Sequence, residues 1–207
     1  AASDVYKRQD YNLGSPSAGD GKMTFDDIRF AASPITLKGE DVFDDQDSLS
    51  FVLGARINKN FGFEAFYQQT YKDNTTSQID NNTLNAGGNA YYLMNEYTTS
   101  YRAYGLDFIG YVPLSPYFDL LASVGVAKYE FENEANFAVY RFSSSTTLDT
   151  VITQKYTDDN VGWRIAAGGQ LNIAEGVALR AMYRYAKIGG DVIDDMSEVS
   201  LGVRFLF

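Results

Sequence analysis

Eight charged side chains carry the most chemical potential in this chain: Arg56, Glu64, Asp107, Asp119, Arg164, Arg180, Arg184 and Arg204. Each occupies a polar position in a segment whose alternate residues are apolar, so each shares a face with small or polar neighbours. Five guanidiniums and three carboxylates gathered in one enclosed space would form charge-assisted hydrogen bonds, because an unpaired charge there is costly. The expected chemistry is therefore an ion-paired polar network. Glu64 could act in it as a switch between arginine partners, or the network could be a static core that cements the fold; the static core is the favoured reading. Catalysis is not expected. The chain has no His and no Cys, which removes the commonest general base, thiolate chemistry and disulfides. Adjacent acids such as Asp44/Asp45, Asp158/Asp159 and Asp194/Asp195 point to opposite faces of an extended chain, so they do not form a carboxylate dyad by spacing alone. No glycine-rich phosphate loop and no metal constellation is visible, so neither enzyme activity, cofactor nor metal is expected. The acidic run 39–48 offers carboxylates of the kind Ca²⁺ prefers, but it matches no EF-hand spacing and reads as a solvated loop.

The elements that must position these residues are strands. Residues 196–207 alternate strictly, with Val199, Leu201, Val203, Phe205 and Phe207 on one face and Glu198, Ser200, Gly202 and Arg204 on the other. This period of two marks a strand with one apolar face. Similar alternation runs through 48–57, 61–71, 101–112, 117–131, 161–173 and 177–187. An eighth strand is expected before Ser48, and residues 28–37 are the candidate, although Pro34 lacks a ladder donor. The connections alternate in length. Three are short, at 58–60, 113–116 and 174–176; four are longer and polar, at 38–47, 72–97, 132–158 and 188–196. No segment keeps a 3.6-residue period, and no run of apolar residues is long enough for a membrane helix. Membrane strands, by contrast, need only about 9–11 alternating residues each.

The polar face decides which side is in. It combines Gly54, Gly105, Ser123, Gly125, Ala127, Gly162, Gly168 and Gly202 with arginines and acids. Tiny residues beside large charged ones suit a crowded interior, whereas a solvated face would carry Lys, Glu, Thr and Gln throughout. The apolar face is therefore placed outside, against lipid. Phe61, Phe63, Tyr111, Tyr117, Phe118, Phe205 and Phe207 would form a turn-side aromatic girdle, and Tyr104, Tyr183 and Tyr185 lie toward the loops. The competing arrangement is a soluble, lipocalin-like barrel with the apolar face inward around a small ligand.

Two stretches now carry a resemblance. The terminal strand resembles the last strand of bacterial outer-membrane barrels, which typically ends in Phe. Gly54-Ala-Arg-Ile-Asn-Lys-Asn-Phe-Gly-Phe-Glu-Ala-Phe-Tyr67 resembles the second hairpin of the small eight-stranded family that includes the OmpA membrane domain, with Glu64 in place of that family's inward Glu. Residues 161–185 look like its third hairpin. The resemblance covers roughly 48–207 and implies an all-β, eight-stranded antiparallel up-and-down transmembrane β-barrel, integral to a Gram-negative outer membrane. It also implies that Val203, Phe205 and Phe207 serve as the address read by the barrel-insertion machinery. The implied partners are outer-membrane lipid, lipopolysaccharide and a host or surface ligand at the loops. The expected role is structural or adhesin-like, with a small porin-like channel as the alternative.

Charge supports this division of labour. The net charge is −10, a poor match to a phosphate backbone, so no nucleic-acid partner is expected. The acid lies almost wholly in the loop regions and leaves the barrel body basic. Residues 1–9, Ala1-Ala-Ser-Asp-Val-Tyr-Lys-Arg-Gln9, contain no export signal and look like a translated sequencing-library adapter. They are expected to be a non-native tail ahead of a single domain over 10–207, with the signal peptide upstream.

Overall fold

The computed structural model describes residues 4–18, 22–25, 35–38, 45–70, 73–78, 84–86, 89–142 and 146–206. Eight long strands close a ring: β1 (Asp4–Ala18), β2 (Gln46–Arg56), β3 (Phe61–Thr70), β4 (Asn89–Ser115), β5 (Phe118–Phe142), β6 (Thr146–Ala174), β7 (Val177–Lys187) and β8 (Ile193–Leu206). Each strand pairs antiparallel with its neighbours in sequence. β1 then joins β2 on one edge and β8 on the other, from Tyr6↔Leu206 to Ala18↔Ile193, which closes the barrel and leaves no open edge around it. Short ribbons decorate the loop side. Lys22–Phe25 pairs with Ile35–Lys38, and Asp73–Gln78 and Leu84–Ala86 pair with the upper part of β4.

The turn-side connections are tight for local reasons. The Asn58 side chain accepts the backbone N–H groups of Asn60 at 2.8 Å and Phe61 at 2.9 Å, which folds the β2–β3 turn on itself. Between β6 and β7, Gly176 adopts φ 77°, a left-handed conformation that glycine reaches without strain.

The facing of the strands is unambiguous in the lower barrel. Leu53, Leu106, Val124, Ile165 and Leu201 are 47–65 % exposed on the outside. Arg8, Glu64, Asp107, Arg164, Arg180 and Ser200 are buried inside. An inward apolar face, as in the soluble alternative, is therefore overturned.

Three sequence expectations need correction. The first strand is Asp4–Ala18, not 28–37; within the latter, Ile35–Lys38 belongs to a loop hairpin, and residues 28–34 lie outside the described part of the chain. The strand was hard to read because Lys7 and Gln9 interrupt its outward face of Val5, Tyr11 and Leu13. Residues 4–9 form the first part of this strand. Second, Tyr111 points into the lumen at 1 % exposure, not into a girdle, because it shares parity with Asp107 and Ile109. Third, two expected loops are largely strand: within 72–97, Asp73–Gln78, Leu84–Ala86 and the start of β4 from Asn89 are paired, and 132–142 and 146–158 continue β5 and β6. β5 and β6 stay paired from Phe118↔Leu171 up to Phe142↔Thr146.

That extension has a physical signature. Along β5 the apolar residues point outward as far as Val126, then inward at Tyr129, Phe131, Ala135 and Phe137, all buried. The same reversal occurs between Tyr104 and Tyr101 on β4, its partner at that level. Against lipid the apolar residues belong outside; once the strand rises into water they belong inside. The reversal divides these strands into a lower band whose apolar residues face outward and an upper extension whose apolar residues face inward.

Candidate functional site

The candidate site is the lumen, and alternation builds it. On β3 the residues Gly62, Glu64, Phe66, Gln68 and Thr70 point inward and are buried. Glu64 is the centre of the turn-side network. Its carboxylate accepts Arg8 Nη1 at 2.7 and 2.8 Å, Arg180 Nη1 at 2.6 Å and the Tyr6 hydroxyl at 2.5 Å. Arg180 also donates to Gln170 Oε1, at 2.9 Å from Nη2. The Tyr6 and Tyr111 hydroxyls lie 2.9 Å apart, and Arg8 Nε donates to Asp10 at 2.7 Å. With Oε1 accepting from Arg8, Arg180 and Tyr6 and Oε2 accepting from Arg8, the cost of burying the charge is offset.

A second pair sits one level up. Arg164 holds Asp107 in a bidentate fork, with Nε 2.7 Å from Oδ1 and Nη2 on Oδ2, and its guanidinium stacks 3.3 Å over the Phe66 ring. Asp107, Gly125 and Arg164 stand at one level of adjacent strands, and a Cβ on Gly125 would run into the Asp107 carboxylate. The glycine is thus the space the fork needs. A third pair joins Arg184 to Glu198, its direct partner across β7 and β8, and Gln68 donates to the same carboxylate.

The eight residues expected from the sequence distribute themselves as follows. Glu64 and Arg180 meet, as do Asp107 and Arg164. Arg56 does not reach Glu64; its Nη1 lies 3.5 Å from Asp119, and its other nitrogens donate to the Asn58 and Lys59 carbonyls in the turn. Arg184 is paired with Glu198, which sequence reasoning placed on the polar face but left out of the network, although it shares parity with Arg204. Arg204 is 6 % exposed and stacks 4.2 Å from the Tyr6 ring centroid, without a carboxylate partner among the described residues. Tyr6, Arg8, Asp10, Gln68, Tyr111 and Gln170 were also missed. Of the terminal residues, Phe205 is exposed on the outer face and Val203 half-buried, while Phe207 lies outside the described residues.

Above the ion pairs, Tyr97, Tyr101, Tyr129, Phe131, Phe137, Ile193 and Met196 form a buried cluster that fills the loop-side mouth. Where the facing reverses, Lys128 bridges Glu130 at 2.8 Å and Asp159 at 2.9 Å, and the Tyr104 hydroxyl donates to Glu130 at 3.1 Å. Higher still, hydrogen bonds to Glu134 and Glu132 hold the Lys155 ammonium above the ordinary lysine range. Of the acidic run 39–48, residues 39–44, Asp44 included, lie outside the described part; Asp47 accepts the Tyr11 hydroxyl at 2.7 Å and Asp45 accepts Ser15.

Comparisons with known proteins agree on the architecture. The model of the outer membrane protein beta-barrel domain family matches residues 7–205. Among solved structures, the outer membrane protein OprG from Pseudomonas aeruginosa aligns over 100 % of this chain and 96 % of its own, with 12 % identity and a TM-score of 0.52. Ail, the attachment invasion locus protein of Yersinia pestis, crystallised with the heparin analogue sucrose octasulfate, aligns over 99 % of this chain and 97 % of its own, with 12 % identity and a TM-score of 0.47. No curated protein matches the sequence.

Proposed function

The chain belongs to the outer membrane protein beta-barrel domain family and is integral to the outer membrane, and on that premise we propose that its barrel is a closed strut carrying a tall surface-binding extension. The observation that supports this most directly is the reversal of facing along β4 and β5. About 14 residues of β5 continue beyond Lys128, roughly 45 Å along the strand. Their inner face is packed with aromatics and their outer face presents Glu130, Glu132, Glu134, Asp159 and Lys155. A strand pair built that far from the bilayer, with a core of its own, serves contact with something outside the cell. Its acidic face suits a basic protein segment, or lipopolysaccharide phosphates bridged by divalent cations. The Tyr and Phe plug and the paired arginines below it leave the lumen filled, which supports a surface-interaction role over conduction and over catalysis. Below the plug, insertion by the barrel-assembly machinery would use Val203, Phe205 and Phe207 as its address.

The test is a deletion that rejoins β5 and β6 where the facing reverses, removing 132–157 and joining the paired Phe131 and Asp158 through a two-residue Asn-Gly hairpin. It is expected to fold, to keep its heat-modifiable gel mobility and to lose adhesion of expressing cells to epithelial or matrix surfaces. Unchanged adhesion would sink the proposal. Planar-bilayer recording separates the channel alternative: discrete steps in the wild type that change in Glu64→Gln would show that the Glu64 network gates a pore.

A further inference from the structure

Among the described inward arginines Arg204 stands out, because Arg8, Arg56, Arg164, Arg180 and Arg184 each have a carboxylate partner. It is more than nine-tenths buried, its Nε meets no acceptor, and its cross-strand neighbour on β1 is Arg8, a like charge. A buried guanidinium without a counter-charge is costly, and binding a water or an anion is one way to satisfy it. The surroundings fit the second case. Arg204 lines a cavity of about 210 Å³ at the turn-side mouth, together with Arg56, Asn172, Pro116, Val177 and Leu206. Each of the two arginines lies over a buried tyrosine ring. Arg56 lies 4.2 Å from the Tyr111 ring centroid and Arg204 the same distance from that of Tyr6. Arg56 is only loosely neutralised, at 3.5 Å from Asp119.

We propose that this cavity binds a phosphate group, held between the Arg56 and Arg204 guanidiniums, with the Asn172 amide as a further donor. Guanidinium is the side-chain group best matched to oxyanion geometry. The volume holds a tetrahedral anion with several waters, given about 30 Å³ per water. The turn side of outer-membrane barrels faces the periplasm. The phosphate therefore comes either from solution or from the headgroup of a phospholipid in the adjoining leaflet.

The full chain in phosphate-free maltoside micelles, at ionic strength held constant with chloride, provides the test. Inorganic phosphate is expected to raise the unfolding temperature of the wild type in a saturable way and to broaden the phosphate ³¹P resonance. Arg204→Met should abolish both effects, and Arg56→Gln should weaken binding about tenfold. In the absence of phosphate, Arg204→Met should melt no lower than the wild type, because it removes a charge that lacks its partner. In nanodiscs without free phosphate, retention of phosphatidylglycerol by the wild type but not by Arg204→Met, seen by native mass spectrometry, would assign the group to lipid. The proposal is overturned if phosphate affects wild type, Arg204→Met and Arg56→Gln alike, or if neither phosphate nor lipid binding depends on Arg204.

Discussion

At the scale of the residue, the lumen shows how burial turns ordinary side chains into committed partners. Glu64 faces Arg8, Arg180 and Tyr6 at 2.5–2.8 Å, and removing its charge leaves Arg180 without a carboxylate and Arg8 with Asp10 alone. Glu64→Gln is therefore expected to destabilise the barrel by about 3–5 kcal/mol. Glu175→Ala, in the exposed β6–β7 turn, should stay within about 0.5 kcal/mol. Urea titration in lipid vesicles checks both, and equal small effects would show that the Glu64 network contributes little. Much of this chemistry was readable beforehand, since the arginines and acids of the polar faces could be named from alternation alone. Which carboxylate meets which arginine was not, because register depends on turn geometry and strand stagger that parity does not encode. The Arg56–Asp119 pairing and the isolation of Arg204 are both of this kind.

At the scale of the element, strands were legible where lipid wrote the pattern. β3, β7 and β8 carry apolar outer faces over Phe61–Tyr67, Val177–Tyr185 and Val199–Phe205, and their expected ranges differ from the structure by a few residues. β1 was not legible, since Lys7 and Gln9 break its outer face. The continuations of β4 and β5 beyond Tyr104 and Lys128 were hidden for another reason: their apolar residues Tyr101, Tyr129, Phe131 and Phe137 change sides, so a stretch with polar outward positions reads as a loop. The facing itself predicts an asymmetry. Leu179 is 41 % exposed on the outside, and Leu179→Arg should cost about 2–4 kcal/mol if it lies near mid-depth. Ser200→Arg should instead disturb the lumen, crowding a buried site beside Met182. Refolding yields into vesicles of defined thickness compare them. A Leu179→Arg protein as stable as the parent would mean that this face does not meet lipid.

At the scale of the whole molecule, three layers stack along the barrel axis: an arginine-rich mouth, a paired polar middle and an aromatic plug that continues into the extension. Closure of the ring makes the assembly cooperative. The protein should run faster on gels unboiled than boiled, because the closed barrel resists detergent until heat opens it. If it instead stays monomeric and folded in buffer without detergent, the lipid-facing band has been misplaced.

One feature of the ring bears on time rather than on stability. Every neighbouring pair but one is a hairpin of adjacent strands; the exception is the β1–β8 seam, where Tyr6 meets Leu206 across nearly the full chain. Contacts of such long range demand the largest loop-closure entropy and form slowly. The hairpins can form as the chain arrives, but the seam must wait for the last strand. Until then β1 and β8 each offer an unpaired edge to whatever strand is nearby. The assembling protein is thus most exposed to mispairing in the interval before its first and last strands meet.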